Sequence, residues 1–184
     1  MSRRTRIVLV VVGLAAIALV ATSFAIAGGG NGRGNHGRET FSANLIGFNE
    51  VPAINTTGHA KVTLVVDKDA QTITFKLDYA DLSGNPGAAH VHIGQFRVNG
   101  GVSYFFCGGG GKPACPAATS GSISGTVVPA DIVGPTAQGF VVGDSFDAVV
   151  DAMEAGITYA NMHTANFPAG EIRGQLDDRG DHDH

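Results

Sequence analysis

Apolar and polar positions alternate with a period of two along most of the chain between Phe41 and Leu176, as in strands that bury one face. The segments "FSANLIG", "HAKVTLVVD", "TITFKLDYA", "AAHVHIG", "GVSYFF", "GSISGTVV", "ITYANMHT" and "EIRGQL" are short and rich in β-branched or aromatic residues. Turn formers in "DKDAQ", "DLSGNPG" and "VNGG" punctuate them. One stretch departs from this pattern. In "DSFDAVVDAMEAG", Phe146, Val149, Val150 and Met153 recur at helical spacing, acidic residues crowd the start and Gly156 follows the end, which predicts a short helix near residues 145–155. Eight short strands without strand–helix alternation predict an all-β fold, an antiparallel two-sheet β-sandwich, with a closed barrel as the second architecture.

The same alternation sorts the histidines. In "AAHVHIG", His90 and His92 share one strand face while Val91 and Ile93 take the other; in "ITYANMHT", Tyr159, Asn161 and His163 share a face opposite Ala160 and Met162. Three imidazoles from two neighbouring strands are a candidate metal site, with His59 at the start of "HAKVTL" as a candidate fourth ligand. Histidine-rich ligation without thiolates suits copper first and zinc second. In the competing reading the histidines bond one another, Glu171 or backbone carbonyls, and hold no metal. Glu171 and Arg173 alternate with Ile172 and Gly174, so they share a face as a structural ion pair or as groups supporting the metal ligands. Glu50, just before Pro52, joins that polar cluster or accepts turn hydrogen bonds.

The N-terminal 27 residues change the picture of where the chain works. A basic start, an apolar run from Ile7 to Val20 and the small-residue triplet ending at Ala27 predict a cleaved secretory signal. Uncleaved, the segment would be the chain's one route to a membrane. Paired arginines in "SRRTR" leave Sec and twin-arginine export both open. After cleavage nine basic residues face 16 acidic ones, a formal charge of −7, which argues against a nucleic-acid partner. "GGGNGRGNHGRET", residues 28–40, reads as a glycine-rich tether, and "DDRGDHDH", residues 177–184, as a disordered acidic and histidine-bearing tail. Outside the cytoplasm the two cysteines, Cys107 and Cys115 in "CGGGGKPAC", are expected to form one disulfide around a glycine-rich loop.

The order of motifs resembles the CHRD domain, a module named after chordin and found in secreted proteins, across residues 41–176. The pieces that carry the resemblance are "EVP" at Glu50 to Pro52, "AHVHIG" at Ala89 to Gly94 and "YANMHTANFPAGEIRGQL" at Tyr159 to Leu176. The resemblance implies a β-sandwich of secreted or envelope (periplasmic) location with no general enzymatic activity. Chordin's binding of growth factors does not transfer, because this chain lacks the cysteine-rich repeats that perform it. The histidine pattern is also similar to copper-zinc superoxide dismutase, another sandwich, with "HVH", the late His163 and Arg173 as an anion-steering group. The long histidine-bearing zinc loop of that family has no counterpart between Ile93 and Thr126.

Three functions are therefore expected to compete: a non-catalytic extracellular binding module whose histidines hold copper, a copper-dependent redox enzyme, and an adhesin-like module for an unidentified extracellular ligand with purely structural histidines. Nucleophile elbow, phosphate loop, HExxH helix and dinucleotide fingerprint are all missing.

Overall fold

Each segment with period-two alternation forms a strand in the computed structural model, which describes residues 37–178. In chain order these are β1 Arg38–Ile46, β2 His59–Asp67, β3 Thr72–Ala80, β4 Pro86–Ile93, β5 Gly101–Cys107, β6 Gly121–Val127, β7 Thr158–Thr164 and β8 Ile172–Gln175. A two-residue strand, β9 Asp177–Asp178, follows, and α1 spans Phe146–Glu154. The expected signal, the tether up to residue 36 and the tail beyond residue 178 lie outside the described residues.

The expected two-sheet sandwich is replaced by one antiparallel sheet with strand order β5-β4-β7-β8-β1-β2-β3-β6. β1 is the splice. One of its edges pairs with β2 along its whole length, from Arg38↔Asp67 to Ile46↔His59. Its other edge meets β8 only at Ile46↔Arg173, and β9 at Phe41↔Asp178 and Ser42↔Asp177. Gly174 permits this approach, because a Cβ there would lie 2.5 Å from Asn44 O. At the far ends, the connector after β6 reaches β5, with Val133 N donating to Ser103 O at 2.8 Å, so the sheet curls nearly into a barrel. Alternation dictates which face a side chain takes; it does not dictate which strand edges meet, and that is why the sandwich and the near-barrel share one sequence pattern.

The enclosed core holds Phe41, Leu45, Leu64, Leu77, Val91 and Met162, all without solvent exposure. α1 seats Phe146, Val149, Val150 and Met153 against the same core. It stops where Gly156 takes a left-handed φ of 67° and donates its N–H to Met153 O at 3.0 Å.

Candidate metal centre

β4 and β7 are antiparallel neighbours in the register Ala88↔His163, His90↔Asn161 and His92↔Tyr159. Because alternate residues share a face, this register lays the imidazoles of both strands side by side on the face turned away from the core. One ligand atom from each of His90, His92 and His163 lies within 4.8 Å of the others. The His90 ring centre is 4.6 Å from that of His92 and 4.6 Å from that of His163. Phe105 of β5 closes one side edge-on to His90 at 4.9 Å, and Tyr159 stacks on His92 at 4.5 Å with planes 8° apart.

Hydrogen bonds orient two of the rings. His92 Nδ1 lies 2.9 Å from Gly100 O, and His163 Nδ1 lies 3.0 Å from Pro168 O. Both Nε2 atoms meet Asn161 Oδ1, at 3.1 and 3.2 Å. Burial, followed by the charges of His92 and His163, pushes the His90 imidazole down to about 3, and burial also lowers His92 and His163. The rings are thus neutral at physiological pH, each with one N–H and one lone pair. Since a backbone carbonyl only accepts, Nδ1 of His92 and of His163 is the donor, and each Nε2 carries a lone pair. Both lone pairs then face Asn161 Oδ1, itself an acceptor, while the N–H side of that amide serves Glu50. A cation would relieve this mismatch, and an Nδ1–H held by a carbonyl is the usual support of a metal-binding Nε2. His90 Nδ1 is buried with no hydrogen-bond partner. Metal bonds of about 2.0–2.1 Å in a tetrahedron would put the nitrogens about 3.3 Å apart, a modest contraction of the present cluster. The three histidines can hold a metal ion.

The remaining sequence-predicted residues divide. His59 does not join the cluster: it sits exposed at the start of β2 with Nδ1 3.1 Å from Thr57 O, because β8 and β1 separate β2 from β7 in the sheet. Glu171 and Arg173 are not an ion pair. Glu171 is fully buried and accepts from Thr56 Oγ1 at 2.7 Å, Ser83 N at 2.8 Å, Ser83 Oγ at 2.8 Å and Thr164 Oγ1 at 2.6 Å. Burial pushes its carboxyl up, but these donors together outweigh burial and hold it below the ordinary carboxylate value. Donors from two connecting segments and from the end of β7 reach it more directly than a guanidinium two residues away.

Arg173, 2% exposed, instead organises residues 95–99. It donates to Val98 O at 2.9 Å, Gln95 O at 3.2 Å and Asn99 Oδ1 at 3.3 Å, and its guanidinium carbon lies 3.4 Å from the Tyr159 ring centre. Buried and committed in this way, it cannot steer anions from solvent. The charge facing it is that of Glu50, whose carboxyl burial raises to about 7 against the opposing pull of Arg173 and a hydrogen bond from Asn161. Asn161 was visible in the sequence as a face-mate of His163 but carried no signal of its bridging position. Phe105 could not be found without knowing that β5 pairs with β4.

Cys107 and Cys115 form a disulfide with Cα atoms 5.0 Å apart. The loop between them lies on Phe105: a Cβ at Gly109 would be 2.4 Å from that ring, and one at Gly110 2.6 Å. Lys112 anchors the loop to Asp131 at 2.7 Å and to Thr126 O at 2.9 Å. The glycines therefore press the aromatic wall of the histidine cluster into place.

Residues 41–176 match the family model described as CHRD domain. No curated protein and no solved structure matches the chain.

Proposed function

The chain belongs to the CHRD domain family, and on that premise we propose that it is an exported, non-catalytic binding module whose His90, His92 and His163 hold one transition-metal ion, copper before zinc. The observation that carries the reading is the convergence of three neutral imidazoles, two of them held by backbone carbonyls with their Nε2 lone pairs toward the same acceptor, Asn161 Oδ1. Burying that much polar surface without apolar compensation is costly, and a ligand on the lone pairs repays it. Copper leads because the cluster offers imidazole alone, and divalent affinity for nitrogen sites peaks there. The disulfide supports an oxidising compartment, in keeping with the signal pattern of residues 1–27.

The test is elemental analysis of purified protein carrying His182→Ala and His184→Ala, after equal exposure to copper and zinc, beside the same protein with His90→Ala and His92→Ala. One equivalent of copper that disappears in the second protein supports the reading. Equal trace metal in both overturns it. Superoxide dismutation by the loaded protein would replace the non-catalytic part with the redox-enzyme reading.

A further inference from the structure

Beside the histidine cluster lies a cavity of about 480 Å³ that opens to solvent and that His90 and His163, but not His92, help to line. Its other walls are Gly87, Ala88, Ala165, Pro168 and Thr164, whose hydroxyl is already donated to Glu171. Asn85 stands exposed at its rim. None of the lining residues carries a formal charge. The carboxylates that bond to Thr164 and Asn161 beside the cavity are turned to other tasks, Glu171 toward its four hydroxyl and amide donors and Glu50 toward Arg173. A divalent ion on three neutral imidazoles would therefore keep its full double charge. It would be buried on the His92 side and open on the side of the cavity.

We propose that this cavity is the seat of a small anionic ligand, a carboxylate or a comparable monoanion, that completes the coordination of a metal held by His90, His92 and His163. This rests on the metal reading above. An anion entering here neutralises part of a charge that no protein group offsets, and the uncharged walls set its size more than its identity. Asn85, which makes no hydrogen bond among the described residues, is placed to donate its amide to a second oxygen of a carboxylate. The cavity's volume admits a ligand of a few non-hydrogen atoms and room for water.

Ala88 provides the test. It lies opposite His163 in the β4–β7 register, on the face of His90, and is half-exposed, so Ala88→Leu fills the cavity while keeping all three imidazoles in the chain. The full chain carrying His182→Ala and His184→Ala is loaded with copper(II) and titrated with azide, following the azide-to-copper charge-transfer absorption; acetate is then used to displace the azide. The expected result is one copper per chain in both proteins, a saturable azide band that acetate reverses, and an azide affinity weakened at least about tenfold by Ala88→Leu. Copper bound without any azide band overturns the proposal and leaves the metal reading standing. An azide band of equal affinity in Ala88→Leu places the anion elsewhere and overturns it as well. Failure of both proteins to retain copper removes the metal reading itself, and the proposal with it.

Discussion

β2 and β3 bury every second residue and leave the others in water, whereas β4 and β7 bury nearly all of theirs. The first pair is an ordinary half-wetted ladder. Leu64 faces Phe75 and Val62 faces Leu77 across it, all toward the core, while Lys61, Lys76 and Asp78 stand in solvent. The second pair has the same core face, with Val91, Ala160 and Met162, but its other face is buried too, and that face is polar: His90, His92 and Asn161. The lesson is that the two halves of the sheet are stabilised differently. One stores apolar burial at about 25 cal/mol per Å²; the other holds polar groups that are tolerated only while each finds a partner. Stability should be lost mainly in the first half and binding in the second.

The largest effect expected is on stability, from Leu64→Ala, which removes a side chain without exposure from the core and should cost about 2–5 kcal/mol. Urea unfolding would read it. The folded fraction should still take up metal in full. Replacing His90 and His92 by alanine should reverse the pattern, with metal lost and a smaller stability change, because His90 Nδ1 is already without a partner and only the two hydrogen bonds of His92, with Gly100 O and Asn161, are given up. A stability loss for the histidine pair as large as that of Leu64→Ala would erase the division between the halves.

Glu171→Gln sharpens the comparison at a smaller scale. The carboxylate ties the strand β7, through Thr164, to Thr56 and Ser83 in two connecting segments, and an amide presents an N–H where one set of donors expects an oxygen. The expected cost is about 1–3 kcal/mol, the price of a buried mismatch. It should appear as an earlier urea midpoint at unchanged slope, without loss of bound metal. A change below experimental error would show that the four donors find water instead.

These differences explain what could be read from the chain alone. The strands were legible because their alternation is strict, and so was the face shared by His90, His92 and His163, since face depends only on parity. The helix was legible from Phe146, Val149, Val150 and Met153. The edge-to-edge pairing was not, and everything that depends on it followed: the single sheet, the exclusion of His59, and Phe105 beside His90. The partners of Glu171 and Arg173 were illegible for a second reason. Both residues bond to segments between strands, Thr56, Ser83 and Val98, whose course no periodicity fixes.

The polar half should also be the pH-sensitive half, and Glu50 is the group that tests this. Burial raises its carboxyl from 4.5 to about 7, with Arg173 and Asn161 pulling the other way. A raised carboxyl binds its proton more tightly folded than unfolded, so its contribution is complete below pH 4.5. It fades as pH rises and is gone once pH has passed about 7. Allowing for partial solvent screening, the fading amounts to about 1–2 kcal/mol. Glu50→Gln cannot ionise, so it should lack this decline while sharing every other titration with the parent. Unfolding free energies measured for both proteins at pH 5 and pH 8 give the contrast directly. The parent should fall relative to Glu50→Gln between the two. Parallel behaviour would mean that Glu50 is ionised throughout as the counter-charge of Arg173, and that the polar face is held by an ion pair.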